Sequence, residues 1–406
     1  MDSQKPRNRG LVIAEGILGN FTLGFLFIWT VMRKPLLVLF PTWTEGMLSI
    51  IFGLHNLFIC IGILLAGKLT RRFSGRLVFT VYAIMASAGL AGFALLPEDN
   101  PEFAYAMAFT LFCIVAATGM GMGIGTVQSH TIPWFPESSG RASGLLYMSL
   151  GLSSVILTLI SNVILPVLGV KFTMLVFGSM ILIISLIILA DRRSMCLPPV
   201  SVGADDGAHL TGVTTKEMLK NPLFWVFLLW NIGTRTAGLI MLDHVAGLSM
   251  AYGGIAIVGM LISPCNGLGC ITLGTMLDKL GTKKVTLIAS LLMLSAGIIL
   301  ISGHFAGSFA IILVGILLTG YAYGGCNSTM PAIIKTTFGA KYYTENFAFS
   351  NIAIGIAAFI ESASGHVLDS TGYIGVMILI TGMALPSVLC ALCLNLPFFK
   401  DHGLVR

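Results

Sequence analysis

Polar residues along this chain gather into short clusters, and apolar stretches of about twenty residues run between them. A helix rising ~1.5 Å per residue crosses ~30 Å of hydrocarbon in that length. Twelve such stretches are present, at about 11–33, 46–66, 77–96, 104–127, 141–163, 168–190, 222–246, 252–275, 284–303, 309–331, 344–366 and 373–397. The pattern predicts an all-α membrane protein with twelve transmembrane helices. The short basic stretch Met1–Arg9 is followed by no small-residue cleavage site, so the first run is expected to stay as a membrane helix.

Composition agrees with this reading. The chain is 56% hydrophobic and 10% charged, whereas a soluble domain carries about a quarter charged residues. A surface this apolar needs lipid as its solvent.

The formal charge of +6 is unevenly spread. With the N-terminus inside, nineteen Lys and Arg residues fall in cytoplasmic segments. They include Lys68, Arg71, Arg72 and Arg76 after the second helix and Lys279, Lys283 and Lys284 after the eighth. Only Arg33, Lys34 and Lys171 fall outside, and Arg235 lies within a span. Basic residues concentrate on the cytoplasmic side of a membrane. Both termini are therefore expected in the cytoplasm of a multi-pass cell-membrane protein, in a bacterium the inner membrane. The charge needs no nucleic-acid partner to explain it. Seven of the eight cysteines lie in expected spans, and Cys196 lies in a cytoplasmic loop. Cys390 and Cys393 form a CxxC, but on an apolar helix they read first as small apolar residues rather than redox or zinc groups.

The polar stretch at about 191–221 divides the spans into two sets of six. The expected organisation is an N-terminal bundle, 1–190, a cytoplasmic linker, 191–221, and a C-terminal bundle, 222–406. The halves echo each other. "GKLTRRFSGR" (67–76) follows the second helix and "GTMLDKLGTKK" (274–284) follows the eighth. The run "TGMGMGIGT" (118–126) on the fourth helix is echoed by "TGYAYGG" (319–325) on the tenth. A duplicated six-helix unit of this kind carries its ligand site near the bilayer midplane.

"GTMLDKLGTKK" resembles the loop motif GxLaDrxGrk of the major facilitator superfamily, matching at Gly274, Asp278, Gly281, Lys283 and Lys284. The first-half copy is degenerate, with Arg71 at the expected Asp and Ser74 at the second Gly. The resemblance implies two pseudo-symmetric six-helix bundles. It also implies a cytoplasmic gate latch in which Asp278 caps or pairs with a neighbouring helix end. Within that superfamily the chain is similar to the oxalate/formate antiporters, relatives of the monocarboxylate porters. The similarity rests on "NFTLGFLFIWTVMRKPL", on "PWFPESSGRASGL", on "TAGLIMLDH" and on "FGAKYYTENFAFSNIAIG". It implies transport of a small organic anion, by exchange or proton symport, by a monomer without cofactor or metal. The oxalate exchangers of that family carry basic residues on helices eight and eleven. The aligned positions here are Cys270 and Ile354, so a small dianion held in that way is not expected.

Charge inside a span demands a partner or a task. Arg235, near mid-depth on helix seven, could hold an anionic substrate through charge-assisted hydrogen bonds. It could equally pair internally with Glu361 or Asp243. Asn231 lies one turn earlier on nearly the same face. His55, near the centre of helix two, could bind a carboxylate or carry a proton, or simply join two helices by a hydrogen bond. Asn20, Phe27 and Trp29 on helix one could wall a small ligand or pack the bundle. Glu361 is a candidate for proton coupling. Asp243 and His244 read as outer-gate residues, and Glu15 as an inner-gate residue.

The alternating glycines Gly119, Gly121, Gly123 and Gly125 do not form a phosphate loop. They read as two interleaved GxxxG pairs, 119/123 and 121/125, on which helices approach closely. No phosphate-binding loop, zinc-protease motif or nucleophile elbow is present, so no enzyme is expected. Two other readings stay open. One is a porter of a neutral or cationic solute using Glu361 or Glu15, and the other is a transport-fold receptor that does not translocate.

Overall fold

The computed structural model describes residues 8–25, 29–197, 212–255 and 261–394. Phe27 and residues 198–211 of the expected linker lie outside the described residues. Those described are helical almost throughout, joined by short turns. Each expected span contains helix among the described residues.

The first span holds α1 (Arg9–Leu23) and α2 (Trp29–Leu39). Next come α3 (Glu45–Leu69) and α4 (Gly75–Ala91). Thr44 and Ser74 cap these two, each accepting a backbone N–H three residues on. The fourth span is continuous through α5 (Pro101–Phe109), a π-helical stretch (Thr110–Ala117) and α6 (Thr118–Thr131). After it, α7 (Ser139–Ala190) runs for 52 residues, or ~80 Å of helix, well over twice the hydrocarbon thickness. It breaks at Gly169, where φ is 68° and a side chain would be strained. Helices five and six are the two sides of that break.

The later elements are α8 (Thr215–Lys220), α9 (Pro222–Ala251), α10 (Ile262–Leu280), α11 (Thr282–Ala306) and α12 (Phe309–Phe338). They are followed by α13 (Tyr343–Ser350), α14 (Ile352–Ser362) and α15 (Ser364–Cys393), the last broken at Gly372. Among the described residues, eight helical stretches are long and apolar enough to cross a membrane.

The chain divides into two compact units. The first comprises Met1–Trp134, Leu152–Asp206 and Phe347–Asn351. The second comprises Phe135–Gly151, Gly207–Asn346 and Ile352–Arg406. The start of helix five thus belongs with the second unit.

In the first unit the glycine run is a two-sided packing surface. A Cβ on Gly121 would stand 2.1 Å from the Ile59 carbonyl of α3, and one on Gly125 would stand 2.8 Å from Ala66 Cβ. The other pair faces elsewhere: Gly119 meets Met85 and Ala86 of α4, and Gly123 meets Tyr82 of α4 and Leu23 of α1. Each GxxxG pair therefore seats a different neighbour. The second unit repeats the device. Gly324 and Gly320 on α12 meet the backbone of Asn266 and the side chain and carbonyl of Ile262 on α10, and Gly269 of α10 meets the Tyr321 carbonyl. Without a hydrophobic force between helices in lipid, such close approach supplies the packing energy. A polar clasp adds to it: Trp230 Nε1 donates to Ser290 Oγ at 2.8 Å, and Ser387 Oγ donates to the Trp230 carbonyl at 3.2 Å.

Candidate functional site

The polar centre of the second unit is built around Arg235 on α9. Its side chain is 5% exposed. Nε donates to Asn231 Oδ1 at 2.8 Å, one turn earlier on the same face. This fixes the plane of the guanidinium and leaves its terminal nitrogens free to turn toward other acceptors. Tyr147, from the helix-five part of α7, lies beside the guanidinium. Tyr323 of α12 and Cys326 one turn on also lie within its field. The Tyr323 ring sits in the notch left by Gly238, where a Cβ would stand 2.0 Å from ring Cδ2. Asn327 lies beside Tyr323, one turn on along α12. Among the described residues, no carboxylate lies within ion-pair distance of Arg235. Nδ2 of Asn231 is buried with no hydrogen-bond partner.

Two further acidic candidates belong to this unit. Glu361 is buried on α14. Asp243 Oδ2 is 3.8 Å from His244 Nε2, and that same nitrogen is 2.7 Å from Ser364 Oγ at the start of α15. The pair therefore ties helix seven to the end of helix eleven.

The remaining candidates belong to the first unit. His55 on α3 is fully buried, stacked on Phe112 with ring centroids 4.1 Å apart. Its Nδ1 lies 3.1 Å from the Phe112 carbonyl, the distance of an N–H donating to it. Trp29 stacks on Phe112 as well, at 4.4 Å, and its Nε1 donates to the Leu48 carbonyl at 3.3 Å. Phe112 lies in the π-helical stretch, a distortion that recurs at functional sites. Trp29 and His55 are thus brought together through one phenyl ring. Asn20 and Glu15 are buried on α1.

At the end of α10, Asp278 accepts the Gly140 N–H on Oδ1 and the Arg141 N–H on Oδ2, both at 2.8 Å. These are orphan donors of the first turn of α7, where a carboxylate also meets the positive end of the helix dipole. Gly140 and Gly274 make the approach possible, since a Cβ on Gly140 would stand 2.1 Å from the Gly274 carbonyl. Lys335 of α12 donates to the Phe135 carbonyl at 3.3 Å and lies within the fields of Asp278 and Glu137. Burial pushes the Asp278 carboxyl above its ordinary range, against the pull of the two N–H bonds. The degenerate first-half loop does different work. Arg76 donates to the Leu189 and Asp191 carbonyls and to Ser194 Oγ, closing the C-terminal end of helix six.

The family model described as Major Facilitator Superfamily matches this chain over residues 16–272 and 265–401. The chain belongs to the major facilitator superfamily. It is a multi-pass membrane transporter and not an enzyme. Among curated relatives, the Escherichia coli K12 protein described as an uncharacterized MFS-type transporter, YhjX, is 23% identical over 362 residues. The match spans 88% of this chain and 87% of that protein. Among solved structures, the proton:xylose symporter XylE bound to 6-bromo-6-deoxy-D-glucose has TM-score 0.73 at 14% identity, covering 95% of both chains. A bacterial homologue of the iron transporter ferroportin, in an outward-facing state, also has TM-score 0.73, at 13% identity, over 95% of this chain and 99% of that one. At these identities the solved structures establish the major facilitator fold and nothing about cargo.

Within that fold, sequence reasoning missed Tyr147, Tyr323 and Asn327. Each stands in an apolar span, but tyrosine raises no alarm there and the glycines around Tyr323 and Asn327 drew the eye to packing. Their signal is positional: Tyr323 and Asn327 share a helical face four residues apart. Cys270 is fully buried and donates its thiol to the Gly324 carbonyl at 3.1 Å.

Proposed function

We propose that this superfamily member is a secondary transporter of a small organic anion, a monocarboxylate in the first instance, working by alternating access. The observation that carries the reading is the environment of Arg235: a deeply buried guanidinium, fixed by Asn231 and ringed by tyrosines, with no carboxylate beside it among the described residues. An uncompensated charge in the membrane interior is expensive. A bound carboxylate supplies the counter-charge and accepts the guanidinium's remaining N–H groups. The likeness to the oxalate/formate antiporters supports the same class of cargo. Cys270 and Ile354 argue for one carboxylate rather than two.

The same charge favours exchange over net flux. A carrier that must reorient with a bare guanidinium does so slowly, whereas the anion-loaded form is neutral at this site. Only a cargo that interacts differently with the two orientations can bias them. Proton symport is the other mode, with Glu361 as the coupling group. The charge asymmetry of the loops supports cytoplasmic termini, and the Escherichia coli relative supports a bacterial inner membrane.

The test is uptake into proteoliposomes of labelled lactate, pyruvate, formate and oxalate, with and without unlabelled anion inside and with and without a pH gradient. Uptake of a monocarboxylate that depends on internal anion is the expected result. If none is carried under any condition, the anion reading fails.

A further inference from the structure

We infer that Asp243, His244 and Ser364 form a proton-binding site, and that external acid acts through it to ease entry of the anion; the second half rests on the reading of the cargo as an anion. All three residues belong to the second unit, at the end of α9 remote from the linker, the external end in the orientation proposed above. His244 Nε2 is 2.7 Å from Ser364 Oγ and 3.8 Å from Asp243 Oδ2. The imidazole is 8% exposed and Ser364 is fully buried, whereas the Asp243 side chain is 29% exposed and brings the cluster to the surface of the unit.

A ring that merely tied two helices together would be served by the hydroxyl alone. A carboxylate beside it favours the charged ring, which burial otherwise disfavours. Serine lets that charge come and go. In the neutral ring protonated on Nδ1, Nε2 accepts the Ser364 O–H. When water delivers a proton to Nε2, the hydroxyl turns and accepts instead, and the imidazolium stands against Asp243. The cluster passes from net negative to neutral without losing a hydrogen bond. Since α14 ends at Ser362 and α15 begins at Ser364, the titrating ring bears on the junction of these helices. Other titratable groups stand toward this end on the helices packed against α9. On α15, Tyr373 meets Gly247, and His366 and Asp369 are exposed. Glu361 lies on the last turn of α14, Tyr323 of α12 fills the notch at Gly238, and His304 of α11 is bonded to Tyr252. Among the described residues, Asp243 is the acid within ion-pair distance of the ring. Neutralising it removes a repulsion from an approaching anion.

Purified full-length protein labelled on its seven histidines is titrated by side-chain NMR, over a range spanning the ordinary imidazole pKa of ~6.5. The resonance missing from His244→Gln is expected to titrate within that range in the wild type and to stay neutral through it in Asp243→Asn. In proteoliposomes held at fixed internal pH, lactate uptake is expected to rise several-fold as the outside is acidified, through a lower KM. His244→Gln, whose amide can still bond Ser364, is expected to abolish that rise; Asp243→Asn, expected to abolish it equally, serves where the glutamine variant does not fold. A His244 resonance that stays neutral in the wild type, or that titrates identically in Asp243→Asn, overturns the inference. A pH response of uptake that survives both substitutions overturns its link to transport. If lactate is not carried at all, the anion reading fails and the link to transport with it, while the titration still decides the proton site.

Discussion

Arg235 and Asn231 stand one turn apart on α9, joined by a 2.8 Å hydrogen bond from the guanidinium Nε to the amide Oδ1. The bond occupies one of five guanidinium donors and aims the rest. Asn231→Leu removes it and lets the guanidinium swing. A hydrogen bond to a charged group is worth ~1.5–3 kcal/mol, so KM for the anion should rise roughly tenfold to a hundredfold at ~1.4 kcal/mol per decade. Initial-rate transport measurements on the variant check this. An unchanged KM would mean that Asn231 does not orient Arg235 in the working protein.

Asp278 closes the N-terminal end of helix five, and Asp278→Ala frees the Gly140 and Arg141 N–H groups together. Losing such a cap costs ~0.5–2 kcal/mol, so thermal unfolding in detergent should begin several degrees lower. Acid should behave in a definite way. The folded pKa of Asp278 lies above its unfolded value. Its contribution to stability is then fullest below the unfolded pKa and falls as pH rises through the folded one. Asp278→Asn should flatten that dependence, which unfolding measured across the acidic range would reveal.

Much of this architecture was readable from the chain, and the reason is lipid. Each span has to satisfy its own backbone in hydrocarbon, so apolar length alone marked the helices, and the break at Gly169 falls at the very start of the sixth expected span, 168–190. The glycine run likewise announced close packing. That its two pairs seat different neighbours, α3 for Gly121 and Gly125 but α4 for Gly119 and Gly123, depends on tertiary arrangement that no local pattern encodes. The site was legible only where it is charged. Arg235 stood out because charge in a span is costly; Tyr147 did not, because it comes from helix five, far away in sequence, and a tyrosine is ordinary on an apolar helix.

The Gly121 contact gives a sharp packing prediction. Its Cβ position lies 2.1 Å from the Ile59 carbonyl and 2.9 Å from Gly62 Cα, both backbone atoms that cannot turn aside. Gly121→Val must force α3 and α6 apart. Overpacking costs ~1–3 kcal/mol even where side chains can adjust, so folded yield should fall sharply on size-exclusion chromatography. Gly53→Ala, with nothing within 4 Å of the new methyl, is the matched control and should behave as wild type.

His55 is expected to act through packing. His55→Phe keeps the stack on Phe112 but loses the bond to its carbonyl, a loss of ~0.5–1.5 kcal/mol. Stability should drop by that order while KM and the pH profile of transport stay unchanged. Loss of transport in a well-folded variant would instead bring His55 into the binding set.

The central claim is that Arg235 holds the anion, and anion counterflow in proteoliposomes tests it most directly. Wild-type protein and Arg235→Gln, matched for folded amount, are loaded with unlabelled lactate and presented with labelled lactate outside. The account predicts rapid counterflow in the wild type and a loss of about a hundredfold or more in the variant, the cost of removing a charge-assisted, multiply bonded contact. Counterflow of equal rate and affinity in both proteins would contradict it.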